Sequence, residues 1–427
     1  MTGFDSRRRE FSASIRHLKV FESVAHLHGF QRASEECHLS QPAVTQAIAK
    51  LEEQLGVSLL VRRASGSYLN AIGLVFHRRM QRLFAQMEQA LLDLGVPNGP
   101  LPISQLTARV SRSQIRSLIA IAENGSFAQA ARALDISQTS LQRSARDLER
   151  ILRTPLYNQT ASGVVATQAA VELARKLKLA LREIDWGVDE VEAARGNVGG
   201  EIIVGAMLLS GSVVIASVID EFVSTYSNAQ VRIVNGNTED LLKDLRAGDV
   251  DVVIGLLREQ RAEGLIHRSL ADTPYVIVSR HGHPLAQKSA VNLDDLGAFD
   301  WVIGTPGSSR RALFDKLFAG RQRPRARIET SSLPTIRMLL SQSDRLTLLT
   351  SYELMYEEDT LAAVPFGPIK PVPCIGLTTR ENWLPTQLQT SFIELVQKRI
   401  VGSLMPIQDL GRAGEPRPVR RVAAPAK

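Results

Sequence analysis

The chain has 427 residues, 44% hydrophobic and 22% charged, the balance of a globular protein too long for one ordinary core. Its net charge of +7 is uneven: residues 1–200 hold 25 Lys and Arg against 19 Asp and Glu, whereas residues 201–403 are slightly acidic and the last 24 residues are basic. Two cysteines, Cys37 and Cys374, exclude a disulfide framework, and no apolar run reaches the roughly 18 residues of a membrane span. Arg7–Arg9 are not followed by an apolar core, so no signal peptide is expected and the protein is assigned to the cytoplasm. The basic first half points to a polyanionic partner for that half alone.

Residues Leu18–Asn70 recur as Ile115–Thr167 without a gap, at a spacing of 97. Identical positions include Ala25/Ala122, Phe30/Phe127, Ala33/Ala130, Ser40/Ser137, Gln41/Gln138, Leu51/Leu148, Glu52/Glu149 and Gly66/Gly163. A repeat of this length is a duplicated domain rather than a solenoid unit. In the first copy a helix from Ile15 to Leu27 places Leu18, Phe21, Val24 and Ala25 on one face. His28-Gly29-Phe30 breaks it, a short helix carries Ala33 and Cys37, and Ser40 is set to cap a third helix with Pro42 in its first turn. That helix buries Val44, Ile48, Leu51 and Leu55 and shows Gln41, Thr45, Gln46 and Ala49 on its other face. Amides and small groups there suit the major groove, where amides pair with adenine edges. Arg62 and Arg63 stand at the foot of a Ser65-Gly66-Ser67 turn, the place for a wing that grips phosphate. Cys37 and His38, with His26 and His28 near, have metal-ligand composition, but Cys37 aligns with Leu134 and is assigned to the core. His281 and His283 have no partner at ligand spacing, so no metal is expected.

The stretch Ala33 to Leu60 (ASEECHLSQPAVTQAIAKLEEQLGVSLL), continued by Val61-Arg62, resembles the N-terminal winged helix-turn-helix of LysR-type transcriptional regulators. The resemblance implies base or groove contacts from Gln41, Pro42, Thr45 and Gln46 and a backbone contact from Arg62. The second copy keeps Ser137-Gln138, but Thr139 replaces the proline, Arg153 stands at the family's glycine, and Gln159 stands at the wing arginine. Gln138, Thr139, Gln142, Arg143 and Arg146 are its candidate contacts; arginine can pair with guanine or hold phosphate. This copy either reads a different DNA sequence or serves as a dimer or partner surface.

A helix with heptad-like apolar spacing follows each copy: Phe76, Met80, Leu83, Met87, Ala90 and Leu94, then Ala170, Ala174, Leu177, Leu181, Ile184, Val188 and Val191. The resemblance implies that such a helix pairs two subunits, and the second is the better candidate. The first either pairs with its counterpart or folds back on the tandem array. Gly95-Val96-Pro97-Asn98-Gly99-Pro100 ends the first module.

From Gly199 strands alternate with helices: strands at Glu201–Ala206, Val231–Asn235 and Asp249–Gly255, helices at Val213–Tyr226 and Thr238–Arg246. That alternation implies parallel strands with helical crossovers and ligands at the carboxyl ends of the strands. GDVDVVIG (Gly248–Gly255), HPLA (His283–Ala286) and NLDDL (Asn292–Leu296) resemble the effector domain of the same family, although Ser343-Asp344-Arg345 stands where members often have Gly-x-Gly. Two lobes of the periplasmic-binding-protein type are implied, with Ser210, Ser212, Asn237, Thr238, Thr305, Ser308, Ser331 and Ser332 as candidate effector contacts.

The expected fold class is multidomain: two α-rich winged helix-turn-helix domains with linker helices, then a bilobal α/β effector domain. The domains are 12–95, a linker at 96–111, 112–196, and 199–403, the last split into lobe I (199–272 and 381–403) and lobe II (273–380); 404–427 is expected to be disordered. The expected function is sequence-specific regulation of transcription, as a homodimer or tetramer on double-stranded operator DNA. A small-molecule effector and RNA polymerase are the other partners, with no cofactor. A ligand-binding enzyme is disfavoured, because no nucleophile–base pair, paired carboxylates, phosphate loop or metal spacing occurs near the cleft. A protein whose helix-turn-helix copies bind other proteins is separable by the salt dependence of duplex affinity.

Overall fold

The computed structural model describes residues 11–96, 102–160, 163–207, 212–257 and 262–403. The tail from 404, Ser210 and most of the Gly95–Pro100 linker lie outside these residues. The chain divides into two compact units, Met1–Arg268 with Gly376–Ile393, and Ser269–Ile375 with Glu394–Lys427.

The first unit opens with one order of elements written twice. Helices α1 (Ile15–Leu27), α2 (Phe30–Glu36) and α3 (Gln41–Leu55) precede a hairpin of β1 (Leu60–Arg63) and β2 (Gly66–Leu69), then the long helix α4 (Ala71–Asp93). After α5 (Ile103–Arg109) come α6 (Arg112–Asn124), α7 (Phe127–Ala133), α8 (Gln138–Leu152), the hairpin β3 (Tyr157–Thr160) and β4 (Gly163–Ala166), and the long helix α9 (Gln168–Ala194).

The local chemistry matches as well. Ser14, Ser40 and Asn70 cap α1, α3 and α4 by accepting a backbone N–H, and Ser111, Ser137 and Thr167 do the same for α6, α8 and α9. Glu52 accepts the N–H of Leu59 at 2.7 Å, and Glu149 that of Leu156 at 2.7 Å, so each third helix fixes the start of its hairpin. Apolar faces meet where the periodicity puts them: Leu18, Phe21, Val24, Val44 and Leu51 are buried, as are Ile115, Leu118, Ile121, Leu141 and Leu148. Cys37 is half-buried at the edge of this core, and burial raises its thiol pKa. Gly56 ends α3 at φ 66°, and Arg153 takes the same left-handed conformation after α8 at φ 52°, which costs a non-glycine residue about 1–2 kcal/mol.

Helices α4 and α9 run antiparallel along each other. Arg79 near the start of α4 meets Glu190 near the end of α9 (2.7 Å), Gln86 meets Glu183 (2.9 Å), and Asp93 at the end of α4 meets Lys176 (2.5 Å). Phe76, Met80, Leu83, Met87 and Ala90 are buried on α4, and Leu173, Leu177, Ala180, Ile184 and Val188 on α9. Gly187 permits this approach, since a Cβ there would lie 3.2 Å from the Phe76 ring. The expectation that α9 pairs two subunits is therefore corrected: α4 of the same chain fills its apolar seam. Of the two alternatives for the first helix, it folds back on the tandem array.

The chain then forms β5 (Gly199–Met207), α10 (Ser212–Thr225), β6 (Asn228–Gly236), α11 (Thr238–Ala247), β7 (Val252–Leu256) and β8 (Leu265–Asp272), and β14 (Cys374–Arg380) joins them in a sheet of order β6-β5-β7-β14-β8. β5 is parallel to both β6 and β7, as the alternation predicts. The expected strand at Asp249–Gly255 starts late, at Val252; just before it Asp251 is tied to β5 on both sides, its carboxylate accepting the N–H of Ile203 and its own N–H donating to the Ile203 carbonyl, each at 2.8 Å.

A buried ionic cluster ties the linker helices to the loop after β14. Arg79 is fully buried; its Nη1 reaches Glu183 (3.0 Å) and the carbonyl of Leu384 (2.9 Å), while Arg82 bonds Glu183 (2.8 Å) and the carbonyl of Asn382 (2.5 Å). Burial pulls the Arg79 pKa down, but Glu190 and Glu183 more than offset it and hold it above the ordinary value. The buried Trp186 ring faces three guanidiniums, those of Arg79, Arg182 and Arg380, at 5.7, 5.3 and 5.7 Å from its centroid. Arg380 donates to the carbonyls of Leu245 and Val250, both at 2.7 Å, and burial lowers its pKa to about 10.

In the second unit β9 (Tyr275–Arg280) lies between antiparallel β12 (Thr347–Thr350) and β13 (Leu361–Ala363), and β10 (Val302–Ile303) is parallel to β11 (Ile328–Glu329). Its helices are α12 (Leu293–Gly297), α13 (Ser309–Leu317), α14 (Leu333–Ser341) and α15 (Ser351–Met355); α16 (Gln387–Ser403) follows β14. The HPLA motif is structural. Nδ1 of the buried His283 accepts the N–H of Leu285 (3.1 Å), and Nε2 bonds the carbonyl of Asp344 (3.2 Å). The Ser343-Asp344-Arg345 turn that replaces Gly-x-Gly is held from the same side, since Asp344 also pairs with Arg280 at 2.6 Å.

Arg79→Ala strands a buried glutamate and should cost about 3–5 kcal/mol, whereas Lys176→Ala, at a half-exposed pair, should cost less than about 1 kcal/mol; urea unfolding of both variants measures the contrast. His283, held neutral with a pKa lowered chiefly by burial, should stabilise the fold above about pH 6.5, with that contribution shrinking as pH falls below it. Melting midpoints from pH 7.5 to 5 should therefore decline, and less steeply in His283→Gln.

Candidate nucleic-acid interface and ligand site

In α3 the buried Val44, Ala47 and Ile48 lean on the module core, which turns Gln41, Pro42, Thr45 and Gln46 outward, all exposed. Thr45 donates to the carbonyl of Gln41 (3.0 Å), and Pro42 sits in the first turn, where its missing N–H is harmless. The hairpin beside it differs from the expected turn. Ala64-Ser65 connects the strands, with Arg62 opposite Ser67 and Arg63 opposite Gly66. Gly66 is in the strand because Ser67 donates its N–H to the carbonyl of His28 (3.0 Å), and a Cβ on Gly66 (φ 138°) would strike that same oxygen. Both wing arginines are exposed and braced by aromatic rings: Arg62 lies 5.7 Å from the Phe30 centroid and Arg63 5.6 Å from that of Tyr68, which stacks on His28. The sequence reading missed this bracing; the signal for it was an aromatic two residues before Asn70, lacking a counterpart in the second copy, where Val165 stands.

On α8 the buried Leu141, Ala145 and Leu148 likewise turn Gln138, Thr139, Arg143 and Arg146 outward, and Gln142 is half-buried. The hydroxyl of Ser137 lies 3.0 Å from that of Thr139 and 2.8 Å from that of Ser140. The second hairpin offers Gln159 and Thr160 where the first offers Arg62 and Arg63. Its Gly163 (φ 119°) has no close neighbour for a Cβ, so the brace against the first inter-helix turn is absent as well.

The ligand candidates divide. Thr305 and Ser331 bring their hydroxyls within 3.1 Å, Ser308 donates to the carbonyl of Thr305 (2.7 Å), and Ser332 adjoins Ser331. These four gather just past the carboxyl ends of β10 and β11, at the amino ends of α13 and α14. Ser308 and Ser332 also cap those helices. Asn237 caps α11 after β6 by accepting the N–H of Asp240 (2.9 Å), and Thr238 follows it. Ser212 begins α10; Ser210 lies outside the described residues. Hydroxyls beside two helix amino ends favour an anionic or strongly polar ligand. Sequence reasoning passed over Ser309, whose hydroxyl meets Tyr275 at 2.9 Å, and Arg310, which is buried and pairs with Glu353 at 3.0 Å. Among the described residues, no three His, Cys, Asp or Glu are grouped to hold a metal, and no helix is long and apolar enough to cross a membrane.

Residues 195–400 match the family described as LysR substrate binding domain. Residues 15–74 and 113–171 match that described as bacterial regulatory helix-turn-helix protein, lysR family. The chain is 30% identical over 394 residues to the HTH-type transcriptional regulator GalR of Pseudomonas putida, covering 91% of this chain and 97% of the relative. It is 29% identical over 227 residues to GbpR of Rhizobium radiobacter, covering 52% and 75%. Among solved structures, a full-length OxyR variant from Pseudomonas aeruginosa has a TM-score of 0.51 at 20% identity, covering 67% of this chain and 93% of that one, a likeness of fold.

The two wing glycines give a test of the brace. Gly66→Ala and Gly163→Ala both incur roughly 1 kcal/mol of left-handed strain, but only Gly66→Ala also collides with the His28 carbonyl. Gly66→Ala should weaken duplex binding and lower the melting midpoint more than Gly163→Ala, read by gel shift and thermal melting.

Proposed function

Because the chain belongs to the LysR family of bacterial transcriptional regulators, we propose that it reads its operator with both helix-turn-helix modules, the winged helix-turn-helix being duplicated. The carrying observation is that α3 and α8 turn outward polar faces at corresponding positions 97 residues apart, each backed by a buried apolar face and capped by a serine, Ser40 or Ser137. Gln41, Pro42, Thr45 and Gln46 read bases in one half-site, and Arg62 and Arg63 hold phosphate beside it. Gln138, Thr139, Gln142, Arg143 and Arg146 serve the second. The GalR relative is a transcriptional regulator matched over enough of its length to include both modules, which supports a working pair.

A small polar effector is received by Thr305, Ser308, Ser331 and Ser332 past the carboxyl ends of β10 and β11, and Asn237 with Thr238 after β6 is a separate candidate contact in the first unit. Effector binding acts by favouring one arrangement of the protein over another. The Arg79–Glu183–Trp186 cluster carries that preference from the loop after β14 to the linker helices. The protein works in the cytoplasm with RNA polymerase, is not an enzyme, and forms any homodimer or tetramer through surfaces other than the α4–α9 seam.

Nuclease footprinting on the region upstream of its own gene tests this reading. Arg143→Ala with Arg146→Ala should erase one part of the footprint; an unaltered footprint makes the second module a partner surface, and no footprint with the native chain removes the DNA reading. Arg62→Ala should weaken all duplexes alike and reduce the salt slope, while Gln41→Ala should lose operator preference.

A further inference from the structure

The contacts between α4 and α9 carry a symmetry. Subtracting the repeat spacing of 97, Lys176 is the counterpart of Arg79, and Glu190 the counterpart of Asp93. The observed pairs are Arg79 with Glu190 and Asp93 with Lys176. A base at one repeat position thus meets an acid at a second position on the other helix, and the same holds with the helices exchanged. The middle pair, Gln86 with Glu183, joins one repeat position to itself. Any antiparallel register of two helices in equivalent repeat positions has this exchange property, so the two-fold relation follows from the antiparallel pairing itself, and the register places its centre at Gln86 and Glu183. This is the contact pattern of a two-fold interface, in which residue i meets j and j meets i. Here both sides belong to one chain.

A two-fold relation between α4 and α9 extends to what precedes them, because each module is built on its own linker helix. The aromatic Phe21 packs on Phe76 of α4 at 5.5 Å, and the first helix of the second module is bridged to α9 by Lys178 with Glu123 at 2.5 Å. The recognition helices α3 and α8 are then related as the two readers of a dimer are, but their faces are unequal. Pro42, Thr45, Gln46 and Ala49 of the first correspond to Thr139, Gln142, Arg143 and Arg146 of the second, and the wing arginine Arg62 to Gln159.

Resting on the reading that both modules contact DNA, we propose that a single chain is the complete pair of readers for an inverted repeat with two unlike halves. The first half is read by amide and small groups suited to A·T pairs. The second is read by Arg143 and Arg146, which are suited to guanine. One chain takes the place that two subunits would otherwise fill at the two half-sites.

The test uses the full chain. Asp93→Cys with Lys176→Cys is prepared in heavy- and light-isotope forms, mixed in equal amounts through unfolding and refolding, and joined with a short bis-maleimide; linked peptides are read by mass spectrometry. Pairing within a chain gives peptides of one isotope only, whereas pairing between chains gives about half mixed links and overturns the proposal. In parallel, duplexes are selected from a random pool by the native chain and by a variant carrying Thr139→Pro, Gln142→Thr, Arg143→Gln and Arg146→Ala, at three exposed positions and the half-buried Gln142. The native chain should enrich two unlike halves and saturate at one chain per duplex. The variant should enrich two like halves in inverted orientation. The reciprocal Gln46→Arg with Ala49→Arg should instead move the first half toward guanine. A symmetric site for the native chain, a single half-site, two chains per duplex, or a site unmoved by both transplants overturns the proposal. Failure to enrich any duplex removes the DNA reading instead, and the isotope result then still decides the pairing.

Discussion

Arg79 lies at the point on which this molecule turns. Its guanidinium is buried against Glu183 and Glu190 of α9, it donates to the carbonyl of Leu384, and Trp186 lies across it. A charge buried this deeply is tolerable only where every donor is met, so the residues around it have little freedom to move independently. Through it the first module, the second module and the sheet of β5 to β7 are held by one set of contacts. Arg182 and Arg380, near the same indole, extend the set to Asp251 and from there to the backbone of β5.

The two modules share their scaffold and differ in what they present. Caps, the glutamate that pins the hairpin, and the buried positions coincide residue for residue. The differences collect at the recognition helix, the wing and one helix end. In the first module aromatic rings support two wing arginines and a glycine accepts the close approach of the His28 carbonyl. In the second these devices are gone, and arginine has moved onto the helix itself. Arginine stands at different places in the two modules, while the buried positions are the same. Arg153 marks the same history, because it holds a left-handed turn that Gly56 adopts without cost.

Much of this was legible in the chain. The helix boundaries of the first module, the cap at Ser40 and the outward faces of α3 and α8 came from periodicity and capping chemistry, which are local. The parallel strands after Gly199 followed from alternation alone. What could not be read was the choice of partner for the apolar stripes. A heptad-like seam announces that a helix will pack, and says nothing of whether its mate lies in another chain or about a hundred residues away. The buried cluster was hidden for the same reason: Arg79, Glu183 and Arg380 are far apart in sequence and resemble ordinary surface charges until the fold brings them to Trp186. The wing turn was placed one residue late because the cause of its register, the His28 carbonyl, is itself non-local. At the ligand site single hydroxyls were recognisable, but that Thr305, Ser308, Ser331 and Ser332 share one corner depends on β10 lying beside β11.

The α4–α9 seam also bears on dosage. Readers that must first find each other in solution have an operator occupancy that rises with the square of protein concentration while the free subunits predominate. Readers tethered in one chain meet at a local concentration fixed by the tether, whatever the number of molecules in the cell. Where one chain supplies both readers, occupancy follows the first power of expression, and dilution at cell division lowers it only in proportion.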